Sequence, residues 1–85
     1  MTWTVIVAKP ARKHFARFPA KDQVRIEAAL RSMAADPFSG DIVKLEGGAD
    51  RWRRRVGNYR IFFVADVAKT TVAVSAILRR TSTTY

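Results

Sequence analysis

The sequence contains no cysteine, so disulfide staples and thiolate metal sites are excluded. It has a single imidazole, His14, too few for a zinc centre, and neither a metal nor a cofactor is expected. Long apolar runs are missing as well. The stretch Val5 to Ala8 is too short for the core of a signal peptide and runs into Lys9 and Pro10. Nothing reaches the length of a membrane span, so the expectation is a cytoplasmic protein with no membrane association. No repeat, low-complexity tract or linker interrupts residues 1–85, which predicts one domain. Acidic residues are scarce.

That last shortage sets the character of the chain. Seven Asp and Glu stand against sixteen Lys and Arg, a formal net charge of +9 on 85 residues. With 48% apolar residues the chain can still bury a core, so the charge belongs to a folded body and makes polyanions its natural partners. Most of the excess is arginine: Arg12, Arg17, Arg25, Arg31, Arg51, Arg53, Arg54, Arg55, Arg60, Arg79 and Arg80. The planar guanidinium fork matches phosphate oxygens better than a point charge does.

Periodicity predicts an α+β fold. Trp3, Val5 and Val7 alternate along a strand from Trp3 to Ala8. Pro10 suits the first turn of a short helix whose apolar stripe is Ala11, Phe15 and Phe18. After Pro19 a second helix spans Lys21 to Ala35 on Ile26, Ala29, Leu30 and Met33, ending at Asp36-Pro37 and Ser39-Gly40. Three strands follow, Arg51–Val56, Tyr59–Ala65 and Thr71–Arg79. The architecture expected is a compact single domain with order β-α-α-β-β-β. Its two N-terminal helices pack on one face of a mainly antiparallel four-stranded sheet.

Gly57-Asn58 is a two-residue hairpin signal, and a tight turn there fixes a register. Trp52, Val56, Tyr59, Ile61 and Phe63 then share a core face, while Arg51, Arg53, Arg55 and Arg60 share the other. Arg55 falls opposite Arg60. Like charges in that relation destabilise a sheet by roughly 0.2–1 kcal/mol per pair, a cost that a bound anion reverses. Asp50 and Glu46 are the nearest acids in sequence. Arg54 has the parity of the core face, which predicts a rim position with a buried stem. In the last strand simple alternation groups Val72, Val74, Ala76 and Leu78 on one face. It leaves Ile77 and Arg79 on the other, with the arginines. Lys44, Arg51, Arg54 and Arg80 extend the basic surface as RNA-backbone contacts. Tyr85, on the polar tail Thr81–Thr84, offers a ring that can stack on an unpaired base.

The runs Lys44-Leu45-Glu46-Gly47, Trp52 to Phe63 and Ile77-Leu78-Arg79-Arg80 resemble the RelE/ParE superfamily of bacterial toxins, the toxin halves of type II toxin–antitoxin pairs. The resemblance covers almost the whole chain and identifies it as a single RelE-like toxin domain. RelE-like members are ribonucleases that cut mRNA, commonly in the ribosomal A site, whereas ParE-like members inhibit DNA gyrase. Arg53 and Arg55 match the basic pair of the ribonucleases. Arg60 matches their third-strand arginine, Arg79 their fourth-strand arginine and Tyr85 their tyrosine. The resemblance therefore implies a metal-independent endoribonuclease acting on mRNA at the ribosomal A site and held in check by a cognate antitoxin. The alternatives are gyrase inhibition and a nucleic-acid-binding module without catalysis.

In such a site the 2′-OH attacks the adjacent phosphate, and the protein aligns the attack and neutralises the phosphorane. The resemblance gives Arg53 and Arg60 the charge stabilisation, Arg79 the departing 5′-oxygen and Tyr85 the stacked base. Family members often carry Lys at the position of Arg55, and guanidinium does not release a proton as an amine does. Arg55 then polarises the nucleophile while water or ribosomal RNA takes the proton. His14 is an alternative base placed on the first helix, away from the strands. Asp22, Glu27, Asp36, Asp41 and Asp66 read as caps, turns and surface charges.

Overall fold

The computed structural model describes residues 2–47 and 50–80. Two helices, α1 (Lys9–Ala16) and α2 (Ala20–Ala35), lie between β1 (Thr4–Val7) and the strands β2 (Ile42–Lys44), β3 (Arg51–Val56), β4 (Tyr59–Asp66) and β5 (Thr71–Arg79). The sheet therefore has five strands instead of four, in the order β1-β5-β4-β3-β2. β1 runs parallel to β5 and the remaining pairings are antiparallel. The additional strand, β2, is three residues long and borders the sheet, too short for an alternation to be visible in sequence.

Both helices pack on one face of the sheet. Ala11 from α1 and Ile26, Ala29 and Met33 from α2 meet Tyr59, Ile61, Phe63, Val72, Val74 and Ile77 in one core. Phe15, Phe18 and Leu30 close its margin. Gln23 joins the two helices: its side-chain amide donates to the carbonyls of Phe15 and Phe18, each at 3.1 Å, and so caps the end of α1. Trp3, Phe38 and Trp52 stack edge to face at centroid separations of 5.7 and 5.4 Å, closing another part of the core.

The β3–β4 hairpin has the register its turn demands, with Val56 opposite Tyr59, Arg55 opposite Arg60 and Trp52 opposite Phe63. Gly57 adopts φ 57°, the left-handed conformation required at the first position of a two-residue turn of this kind.

β5 departs from simple alternation. Phe62 pairs with Ala76 but Phe63 pairs with Val74, so Ser75 is an extra residue in a β-bulge. Its hydroxyl donates to the Phe62 carbonyl at 3.2 Å. Beyond the bulge the two sides exchange: Ile77 is fully buried, whereas Leu78 is 42% exposed. The grouping of Ala76 and Leu78 with Val72 and Val74 is thereby corrected. Burying Ile77 beside Ile61 is worth more than keeping the ladder regular.

Candidate nucleic-acid interface

The sheet face without helices carries the arginines. Register places Arg51, Arg53 and Arg55 of β3 on it with Arg60 of β4. Val43, Phe62, Val64, Ala73, Leu78 and Ile6 share that side on the neighbouring strands. Arg53 and Arg60 are half-buried, and Arg51 and Arg55 are exposed. Arg53 is flanked by Val43 on one strand and Phe62 on the other, so its aliphatic stem has apolar surface to cover while its head reaches water.

Asp41, read from sequence as a turn or surface charge, is the acid that meets this cluster. Its carboxylate accepts from Arg55 Nε at 2.9 Å, and its carbonyl accepts from the Arg55 amide at the same distance. This double contact orients Arg55 and leaves both terminal nitrogens of its guanidinium without a partner among the described residues. Asp50 instead approaches Lys44 at 3.9 Å, away from the arginine cluster.

Three residues grouped with the basic surface have helix-side parity, and for Arg54 that is the core-face parity expected of it. Arg54 sits opposite Ile61 on the helix side, half-buried, its Nη1 donating at 3.4 Å to Ser32 Oγ and at 3.5 Å to the Ala29 carbonyl. A Cβ on Gly40, which has φ 84°, would stand 3.0 Å from that guanidinium. The position is structural: Arg54 links α2 to the chain leading into β2. Arg79, past the bulge, pairs with Tyr59 and shares the helix-side parity, so the grouping of Arg79 with Arg53, Arg55 and Arg60 by strand alternation is corrected. Lys44 has helix-side parity too, with its Nζ 5.9 Å from the Trp52 ring centroid. Arg80 follows β5 and is exposed, its amide donating to the Asn58 carbonyl at 2.6 Å. Tyr85 lies outside the described residues. His14 is exposed on α1, which packs against the other side of the sheet from the arginine face.

The hairpin that presents Arg55 and Arg60 is anchored from behind. The buried Tyr59 hydroxyl donates to Asp22 Oδ2 at 2.7 Å, and its ring packs on Phe18 at a centroid distance of 4.6 Å. Burial, followed by the hydrogen bond to Asp22 and that residue's charge, raises the phenol pKa above its ordinary 10.0, with Arg79 opposing. The neutral phenol therefore supports the fold fully below its unfolded pKa, and this support is lost as pH rises through the folded value. Unfolding midpoints measured from about pH 8 to 11 should show an alkaline decline that Tyr59→Phe flattens. An identical decline in the variant would assign the loss to other groups.

Comparison with known proteins resolves the family. The sequence profile of the ParE toxin of type II toxin–antitoxin system, parDE, matches residues 5–83. The chain belongs to the ParE toxin family. The toxin is similar in fold to archaeal RelE in the RelE–RelB complex from Pyrococcus horikoshii OT3, with a TM-score of 0.85 and 23% identity over 96% of this chain and 99% of that one. It is also similar to the toxin–antitoxin complex RelBE2 from Mycobacterium tuberculosis, with a TM-score of 0.83 and 21% identity over 94% and 93% of the two chains. A YoeB/ParE toxin from Agrobacterium tumefaciens gives a TM-score of 0.75 and 18% identity over 92% and 99%. No curated protein matches in sequence. The toxin is thus a RelE/ParE superfamily member with the α+β fold of RelE. Among the described residues no helix is long and apolar enough to cross a membrane, and no group of His, Asp and Glu is arranged to hold a metal ion.

Proposed function

We propose that the toxin is a metal-independent endoribonuclease that cuts mRNA in the ribosomal A site and stops translation, restrained by a cognate antitoxin. The observation that carries this reading is the juxtaposition of Arg55 and Arg60 across the hairpin, with Arg53 on the same helix-free face. Three guanidiniums on a rigid antiparallel ladder form a fixed array of donors for one phosphate and its neighbours, without reorganisation when charge develops.

In the reaction the 2′-oxygen loses its proton and bonds to phosphorus. The bond from phosphorus to the 5′-oxygen then breaks, and that oxygen takes up a proton, leaving a cyclic phosphate and a free 5′-OH. Arg53 and Arg60 neutralise the phosphorane, and Arg55, oriented by Asp41, polarises the nucleophile. Arginine keeps its protons, so water or ribosomal RNA takes the proton from the 2′-oxygen and supplies the one that the departing 5′-oxygen receives. Tyr85 is assigned the stacking of an unpaired base. Arg79 has no step on the arginine face, because its parity directs it to the other side of the sheet. Several solved relatives are toxin–antitoxin complexes, which supports an antitoxin as this toxin's partner.

Gyrase inhibition is the second reading, favoured by the ParE description of the matching family. In-vitro translation with primer extension on the message, run beside a gyrase supercoiling assay, separates the two. Cleavage within codons and untouched supercoiling are expected. Stalled gyrase on intact message would establish the second reading, and salt-sensitive binding without cleavage would leave a binding module.

A further inference from the structure

A second basic surface lies on the opposite side of the toxin. The segment from Thr2 to Lys21 contains Lys9, Arg12, Lys13, Arg17 and Lys21 and no acid at all. On α1 and its C-cap, Lys9, Lys13 and Arg17 recur every four residues, and Arg12 stands beside them. The same helix buries Ala11 and packs Phe15 against the core, with Phe18 doing so just beyond its C-cap, so the helical period directs the cations away from the sheet. All four are exposed, and none forms an ion pair among the described residues. Lys9, Lys13 and Arg17, with Pro10 and His14, line a shallow depression of about 340 Å³.

We infer that this outward face of α1 is a second contact surface for a nucleic-acid backbone, separate from the arginine face. Like charges four residues apart weaken a helix, and Lys9 in the first turn opposes the helix dipole with no acidic residue there to offset it. Both penalties change sign when phosphates lie along the helix. Successive cations on this face are about 6 Å apart along the axis, well within a Debye length, so their potentials add. The surface lacks what a protein partner would use. Phe15 and Phe18 pack against the core, and the exposed large apolar residues among the described ones, Ile6, Val24, Phe38, Val43, Val67 and Leu78, all lie outside α1. Protein interfaces depend on buried apolar or aromatic anchors, whereas backbone binding depends on charge and counterion release.

Because the sheet separates α1 from the arginine face, one strand cannot lie along both directly. The two faces suit two backbone segments on either side of the toxin, as in a cleft of folded RNA. This inference does not depend on which reaction the arginine face carries.

The test compares wild type with the triple variant Lys9→Gln, Lys13→Gln, Arg17→Gln, using anisotropy of a labelled 20-bp RNA duplex across about 50 to 200 mM salt. The slope of log affinity against log salt should become shallower by about 2–3 in the variant. That change should add to the one caused by Arg53→Gln with Arg60→Gln, and Lys9→Arg with Lys13→Arg should restore most of the slope. Circular dichroism reports whether α1 is retained. Should the triple variant misfold, the same comparison is made with Lys13→Gln alone, expected to lower the slope by about 1. An unchanged slope in a folded variant would overturn the inference. So would a polyglutamate peptide that binds wild type in preference to the RNA, because the surface would then be an acidic-peptide site. Failure of message cleavage leaves the slope measurement intact, so the two proposals fail separately.

Discussion

Replacing Arg60 by glutamine should lower the single-turnover rate of message cleavage about 100- to 1,000-fold, the range found when one preorganised donor to a developing oxyanion is removed. Thermal stability should be unchanged or slightly higher. Arg60 faces Arg55 across the hairpin, so the substitution relieves a repulsion and leaves the buried Tyr59 and Ile61 on either side untouched. Glutamine retains length and some hydrogen bonding but no charge, so the comparison isolates charge stabilisation. Arg51→Gln is the control: Arg51 begins β3, opposite Val64, at the far end of the ladder from the turn. Its loss should weaken RNA binding and cost much less in rate. Equal rates for wild type and Arg60→Gln at saturating RNA would remove the arginine face from the chemistry.

The largest effect on stability is expected at Phe63. This side chain is 1% exposed and sits among residues from both helices and the central strands. Truncation to alanine removes its transfer energy and leaves a cavity, a combined loss of about 3–5 kcal/mol. A domain of this class has only about 5–15 kcal/mol in total, so Phe63→Ala should be largely unfolded or shifted far down in urea. Its neighbour Phe62 faces the helix-free side and is half-buried. Phe62→Ala should cost about 1 kcal/mol, the ordinary magnitude for a substitution outside the core. Urea midpoints for the two variants check the facing of the whole sheet, since a larger loss at Phe62 would mean the sides are reversed.

These two residues show where the sequence is easy to read. Gly57-Asn58 dictates its own turn, the turn dictates the pairing of β3 with β4, and the pairing sorts Phe62 from Phe63 and Arg55 from Arg54 without further information. The apolar stripes of α1 and α2 are equally legible because the helical period is long enough to repeat. Alternation fails in β5, because a bulge at Ser75 is decided by what Ile77 can bury against, a tertiary quantity. β2 is missed because Ile42–Lys44 is specified by its partner β3. Within the candidate site, Arg51, Arg53, Arg55 and Arg60 follow from the hairpin register. The contact from Asp41 to Arg55 spans fourteen residues and two elements, so no local pattern announces it. Arg54 violates the local pattern visibly, but its partners Ala29 and Ser32 on α2 emerge only after the helices are packed.

The bulge has a genetic consequence. In β5 a single codon decides which side of the molecule a charge belongs to. Loss of Ser75 would delete the surplus residue and return the strand to regular pairing, with Ile77 still inward and Arg79 still beside Tyr59. Loss of Leu78 would do the opposite: Arg79 would move into its place, opposite Arg60, and join the arginine face. One three-base deletion would therefore give this toxin a further guanidinium on the arginine face. In toxins of this family, in-frame gaps along the final strand should thus track changes of target more closely than substitutions do.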